Sequence, residues 1–159
     1  MQPANRTSAN LTGMLRIFAL SLLFSAANTQ ADVVTEWNIK AAEIASKLPG
    51  PPPGGVRVMA LTQVAVFEAV NAIMRRHPPS PIFRTPLDAA PEASLDAAVA
   101  AATRGILIKT VPTQLVETEI AYQFALGALP DGAAKLAGIA LGEKSAAAVL
   151  ALRTGDATP

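Results

Sequence analysis

The chain has 159 residues, enough for one domain, with 13 basic and 12 acidic residues and no cysteine. A formal net charge of +1 without a clustered basic face argues against a nucleic-acid-binding protein. The missing cysteines exclude disulfides and thiolate metal sites. Alanine supplies much of the 51% hydrophobic content, so we expect a closely packed core in which each side chain buries little area.

The first segment, Met1–Ala31, has the pattern of a secretory signal peptide. Its features are the basic residues Arg6 and Arg16, the apolar run Ile17–Phe24 and the possible cleavage site at Thr29–Ala31. The apolar run is shorter than the roughly 20 residues that span a bilayer, which disfavours an uncleaved anchor. Cleavage after Ala31, or after Ala27 as a second possibility, would leave 11 basic and 12 acidic residues and a net charge of −1. We therefore expect an exported protein, periplasmic or secreted, with a mature helical domain of residues 32–159.

Apolar periodicity in the mature domain predicts an all-α, alanine-rich bundle of about five helices. Proline and glycine mark the breaks between them. The predicted helices are Asp32–Leu48 with Asp32 as its cap, Val56–Met74, Glu92–Thr110, a helix capped by Thr113 and marked by Leu115, Val116, Ile120, Phe124 and Leu129, and Ala133–Arg153 with Asp131 as its cap.

The helix Val56–Met74 is apolar on nearly every face, and such a helix must be enclosed by other elements. A transmembrane helix is disfavoured because Gln63 and Glu68 would lie near the bilayer centre, at a cost of about 2–3 kcal/mol or more for the charged residue. We therefore predict a central core helix, with Trp37 as a core anchor on the helix before it.

The charged residues that lie one helical turn apart are expected to form ion pairs on the helix surface and not a catalytic site. Glu36 with Lys40, and Glu43 with Lys47, are predicted to form ion pairs one turn apart. Glu117 and Glu119 are two residues apart and cannot share a helix face, so no carboxylate pair for acid–base catalysis is indicated.

Two segments contain residue types that occur in catalytic or phosphate-binding sites. Pro49–Gly55 predicts a turn between helices, since no Lys-Ser/Thr follows its glycines and prolines replace the amide donors that a phosphate loop needs. His77 is the only histidine and lies before a proline-rich excursion. Ser80 or Thr85 would have to serve as its nucleophilic partner, and no pattern positions them. The sequence therefore predicts no catalytic, cofactor-binding or metal-binding residue.

Small residues recur every fourth position in the last predicted helix, at Gly138, Gly142 and Ala146. Such a strip lets another helix backbone approach closely. Lys135, Glu143 and Lys144 interrupt the segment, so we expect packing in a helical bundle and no membrane-embedded dimer.

The ordered set of segments over Asp32–Asp156 resembles the N-terminal helices of secreted vanadium-dependent haloperoxidase-like proteins, relatives of the type-2 phosphatidic acid phosphatases. The segments are Thr35–Asn38, Arg57, Gln63–Ile73, Ala97–Ala98, Ala101–Ala102, Leu129–Gly132, Gly138–Glu143, Ala146–Ala148, Leu152–Arg153 and Gly155–Asp156. One departure is visible: this chain has Gln63 and Glu68 where the family would have His and Asp.

The resemblance implies an all-α fold whose C-terminal half binds phosphate or vanadate through Lys-x6-Arg-Pro, Pro-Ser-Gly-His and Arg-x5-His-x3-Asp stretches. None of these occurs here: no Arg precedes Pro, Ser-Gly-His is missing, and one histidine cannot fill two roles. We therefore expect the N-terminal scaffold portion of such a protein, truncated near Pro159 and inactive alone, with vanadate bound only by a full-length relative.

The expected partner is the missing C-terminal catalytic half or a second copy of the chain. Nucleic acid and a stable membrane span after signal removal are not expected. The alternative is a self-standing exported helical module that binds a partner protein through the Gly138/Gly142 strip or an alanine-rich face. A stand-alone enzyme of unknown mechanism is a third possibility without a supporting motif.

Overall fold

The structure is a computed structural model that describes residues 29–51, 53–78 and 86–155. Residues 33–159 form a compact unit of their own. The predicted signal peptide Met1–Ala31 lies outside the described residues, except for its last three, which belong to the first turn of a helix.

The described residues form five α-helices and no strand, which confirms the predicted all-α bundle. A single 3₁₀ turn, Pro112–Gln114, joins the third helix to the fourth. The helices are α1 (Thr29–Ala45), α2 (Pro53–Met74), α3 (Leu95–Thr110), α4 (Leu115–Gly127) and α5 (Ala133–Leu152).

Three helices begin away from their predicted starts. Asp32 lies inside α1 and is not its cap. The second helix begins at Pro53, because proline has no amide hydrogen to leave unpaired and its fixed φ suits a first helical position. The third begins after Ser94, whose hydroxyl oxygen accepts a hydrogen bond from the backbone N–H of Ala97 at 3.3 Å. That cap lies two residues beyond the predicted start at Glu92.

The fifth helix begins at Ala133, as predicted, but its capping residue differs from the prediction. Gly132 occupies the cap position with φ +148°, a conformation that glycine adopts without steric cost. Asp131 is not the cap, since its carboxylate instead accepts a hydrogen bond from Lys135 Nζ at 2.9 Å.

The C-terminal end of α2 is fixed by the buried side chain of Asn71. Arg75, just past the helix, has a left-handed backbone with φ +52°, and its N–H donates to the Asn71 carbonyl at 2.7 Å. The Asn71 amide oxygen accepts from the His77 N–H at 2.9 Å, and its amide nitrogen donates to the His77 carbonyl at 3.1 Å. These bonds satisfy Asn71 and turn the chain away from the helix.

The most enclosed helix is α3, and not α2 as the sequence predicts. Every residue from 97 to 103 is buried, and α3 packs against α2, α4 and α5. One side of α2 is buried, but Val56 and Phe67 on the other are 70% and 45% exposed. By length and composition α2 could cross a bilayer, a criterion that core helices also meet.

The glycine strip of α5 packs against α3, as the sequence predicts for a helical bundle. A Cβ added at Gly138 would lie 2.3 Å from the Ser94 carbonyl oxygen, and one at Gly142 would lie 2.3 Å from the Ala98 oxygen. The two backbones are therefore in direct contact, and the strip is not open to a partner protein.

The core has two parts. The larger contains residues of all five helices, among them Trp37 of α1, which is 6% exposed and is the predicted core anchor. A smaller cluster fastens α1 to α2 and α3 through Ala41, Ile44, Ala45, Val58, Leu107 and Val111.

Candidate functional site

The outward face of α4 is the most unusual surface of the described chain. The sequence marks Leu115, Val116, Ile120, Phe124 and Leu129 as the apolar positions of this helix. The first four are 46%, 71%, 65% and 82% exposed, whereas Leu129, just past the end of α4, packs against the core. The apolar spacing therefore does not identify the side of α4 that packs on the core.

The buried side of α4 is formed by Thr118, Tyr122 and Leu126, which recur every fourth residue. The Thr118 hydroxyl donates to the Gln114 carbonyl at 2.9 Å, so it carries no unpaired donor into the interior. Tyr122, Leu126 and one satisfied hydroxyl thus face the core, while four apolar side chains face outward.

An arginine of α3 holds α4 in this orientation. The Arg104 guanidinium donates to the Glu119 carboxylate through Nε at 2.9 Å and through Nη2 at 2.6 Å, and it lies 4.8 Å above the Tyr122 ring centre. The hydrogen bonds to Glu119 raise the pKa of Arg104. Burial raises the pKa of Tyr122, with smaller contributions from Glu143 and Glu119 and an opposing one from Arg104.

The sequence reasoning missed this role of Arg104. The residue is 15 positions from Glu119 on a different helix, and only the packing of α3 on α4 brings the two together. Their charge complementarity alone does not identify them among 13 basic and 12 acidic residues.

A groove of about 440 Å³ lies between α1 and α4 beside the exposed residues. Its lining combines apolar side chains with three charged ones. The lining residues are Glu36, Trp37, Lys40, Glu117, Ile120, Ala121, Phe124 and Ala125. The outward face of α4, formed by Leu115, Val116, Ile120 and Phe124, together with this groove is called the α4 surface below.

The ion pairs around the groove differ from those predicted. Lys40 pairs with Glu43 at 2.8 Å and not with Glu36, and Lys47 pairs with Glu117 on α4 and not with Glu43. The hydrogen bond between Lys40 and Glu43 raises the pKa of Lys40 and lowers that of Glu43. Glu117 and Glu119 have separate cations, Lys47 and Arg104.

The residues weighed as catalytic lie apart from the α4 surface. His77 is exposed in a bend after α2, with its ring 5.8 Å from that of Phe67. Ser80 and Thr85 lie outside the described residues. Gln63 donates to the Asn38 side chain, and Glu68 is buried in α2.

The residues that the structure describes contain no group of three His, Cys, Asp or Glu side chains that could hold a metal ion. No family model, curated protein or solved structure matches this chain. The candidate site therefore rests on its own geometry, an exposed apolar helix face beside a groove.

Proposed function

We propose that the five helices are a supporting scaffold related to the vanadium-dependent haloperoxidase-like phosphoesterases, and that the α4 surface contacts the helical catalytic body of such a protein. The observation that carries the proposal is the solvent exposure of Leu115, Val116, Ile120 and Phe124. The ordered resemblance over Asp32–Asp156 supplies the family and, with it, the nature of the partner.

Binding to a partner would remove these four side chains from water. Burying one large apolar side chain contributes about 1.5–3 kcal/mol, and contiguous exposed apolar patches mark interaction surfaces. A partner helix whose own apolar face lies along α4 would supply that burial.

The charged residues beside the α4 surface favour an apolar partner. Glu117 already pairs with Lys47, and Glu119 with Arg104, within the chain. A partner that binds the α4 surface therefore needs no charged groups to neutralise these two carboxylates. Since the scaffold role assigns no chemistry to this chain, we propose no catalytic residue in it.

An assay of the purified chain with a generic phosphomonoester, with and without vanadate, tests the proposed lack of catalysis. We expect no turnover above the buffer rate, because the oxyanion-binding stretches of the family are not in the sequence. Turnover that disappears in His77→Ala would overturn the scaffold proposal.

The partner can be tested by genetics and by binding. If the adjoining genomic sequence encodes Pro-Ser-Gly-His, in frame or after a frameshift, the product of that sequence is the partner to purify. We expect it to bind the chain and to bind Phe124→Ser at least tenfold more weakly, since a central apolar anchor is lost. Val56→Ser, which removes another exposed apolar side chain far from α4 in the sequence, should bind normally.

An unrelated gene immediately downstream would favour the second candidate, a self-standing exported module that binds a different protein. The same α4 surface favours it, because the Gly138/Gly142 strip is covered by α3. Both proposals include export of the protein. If the protein is exported, the chain isolated from the periplasm or medium should begin after Ala31 or Ala27, and mass spectrometry of the intact protein measures this.

A further inference from the structure

A second concavity, of about 500 Å³, lies between the N-terminal half of α2 and the C-terminal end of α5. It shares no lining residue with the groove beside α4. The lining residues are Arg57, Ala60, Leu61, Val64, Val149, Leu152 and Arg153. Its volume lies within the roughly 300–1,000 Å³ usual for small-molecule sites.

A hydrogen bond between the two helices holds one end of this pocket together. The buried Ser145 hydroxyl on α5 donates to the Ala65 carbonyl on α2 at 2.7 Å. The pocket residues of α2 precede Ala65 and those of α5 follow Ser145, so the helices run antiparallel along its walls. On each helix the lining positions recur every three or four residues, which places them on one face.

The pocket is apolar inside and basic at its edge. Leu61 and Val149 are 7% and 3% exposed, whereas Leu152 is 47% exposed and lies where the pocket meets solvent. Arg57 and Arg153 bring two positive charges, and none of the seven lining residues is acidic. An apolar interior with convergent polar groups is the usual composition of a ligand site.

We infer that this pocket binds an amphipathic anion, an alkyl carboxylate whose hydrocarbon chain lies on Leu61, Val64 and Val149 and whose headgroup binds the guanidinium groups of Arg57 and Arg153. A guanidinium has five N–H donors and can serve an acceptor of this chain and one of a ligand together. Carboxylate oxygens match its planar fork of donors. The apolar interior removes the hydrocarbon chain from water, which favours binding in proportion to the apolar area buried.

Isothermal titration of the full chain with decanoate, below the concentration at which decanoate forms micelles, tests the inference. We expect saturable binding of one decanoate per chain. Decanol, which keeps the tail without the charge, should bind roughly tenfold more weakly. Acetate and inorganic phosphate, which keep a charge without the tail, should give no saturable binding.

Variants locate the site. Arg57→Gln with Arg153→Gln should weaken decanoate binding roughly tenfold or more, since two charge-assisted contacts are lost. Arg76→Gln with Lys144→Gln removes the same charge from exposed positions outside the pocket and should leave the affinity unchanged. Ala60→Trp should abolish binding by filling the pocket, and Phe124→Ser should not affect it.

Failure to bind decanoate overturns the inference. An equal loss of affinity in the double arginine variant and in the control double variant also overturns it. Phosphate binding as tight as decanoate binding would also overturn it, because the apolar interior would then contribute nothing. Thermal unfolding of each variant shows whether it is folded, and the arginine pair decides the question if Ala60→Trp is not. The proposed scaffold role is unaffected by either outcome, since the two sites share no lining residue.

Discussion

At the scale of single residues, the contact between α3 and α5 depends on the lack of a side chain at three glycines, Gly105, Gly138 and Gly142. Gly142 faces the Ala98 carbonyl oxygen, the Ala102 nitrogen and the Ala101 methyl group, and an added Cβ would lie 2.3, 2.7 and 2.8 Å from them. Two of these three neighbours are backbone atoms, which cannot move aside as the end of a flexible side chain can.

We predict that Gly142→Ala destabilises the protein. The added methyl group would force α5 away from α3, and overpacking of this kind costs about 1–3 kcal/mol. The free energy of unfolding from denaturant titration measures the loss.

Gly127→Ala is the matched control, because nothing lies within 4 Å of a Cβ added there. Alanine is the better helix former, so Gly127→Ala should be neutral or stabilising by up to about 1 kcal/mol. An equal loss in both variants would show that glycine is not needed for the contact of α5 with α3.

At the scale of helices, α4 shows which structural information the sequence carries and which it lacks. The existence of five helices follows from apolar spacing and from the intervening prolines and glycines, and their ends lie within about three residues of the predicted ones. The side that α4 buries does not follow from apolar content. It is set by the bonds of Arg104 to Glu119 and by the contact of Arg104 with Tyr122.

The helix caps show a similar limit. Ser94 and Gly132 cap α3 and α5. Each lies within two residues of the predicted position, a helix start at Glu92 for α3 and a cap at Asp131 for α5. Which residue caps depends on where the chain turns, and neighbouring helices determine that turn.

For α4 we predict that the double variant Ile120→Ser, Phe124→Ser self-associates less and binds less apolar dye, while it stays folded. These side chains are 65% and 82% exposed, so their loss should change the free energy of unfolding by less than about 0.5 kcal/mol each. Fluorescence of an apolar dye and concentration-dependent light scattering should both decrease.

Two controls separate surface from core. Leu126→Ser, on the buried side of α4, should cost about 2 kcal/mol or more because a core side chain is replaced by a polar one. Val56→Ser should leave light scattering unchanged. If Val56→Ser reduced association as much as the α4 variant, the adhesive surface would not be confined to α4.

At the scale of the whole molecule, the core is alanine-rich and organised around α3. The residues from 97 to 103 include five alanines, all buried. The hydrophobic periodicity predicts α2 as the central helix, because long apolar side chains contribute most to such a pattern. Alanine lets helices approach more closely, and α3 is therefore the helix that α2, α4 and α5 share.

Stability should fall in alkaline solution through Tyr122, the only tyrosine of the chain. Burial raises its pKa in the folded state. The unfolded chain therefore loses this proton first, near pH of about 10, and the folded state loses stability as the pH rises from that value towards the folded pKa. Below the pKa of the tyrosine in the unfolded chain, this loss of stability does not occur.

Tyr122→Phe should reduce this alkaline loss and leave the pH dependence below about pH 9 unchanged. Denaturant unfolding over a pH series measures the effect in both proteins. Because the chain has one tyrosine, near-ultraviolet absorbance follows its ionisation directly in the folded protein. An ordinary or lowered pKa for Tyr122 would contradict the prediction.

The direct backbone contact of α3 with α5 has one more consequence, which concerns entropy. Alanine and glycine have no rotamers to lose when they are buried, so this interface forms almost without the cost of side-chain ordering. Such a seam has few alternative packings. We therefore expect its amide hydrogens to exchange with solvent as one cooperative block, more slowly than those of α4, whose outer side is open to water.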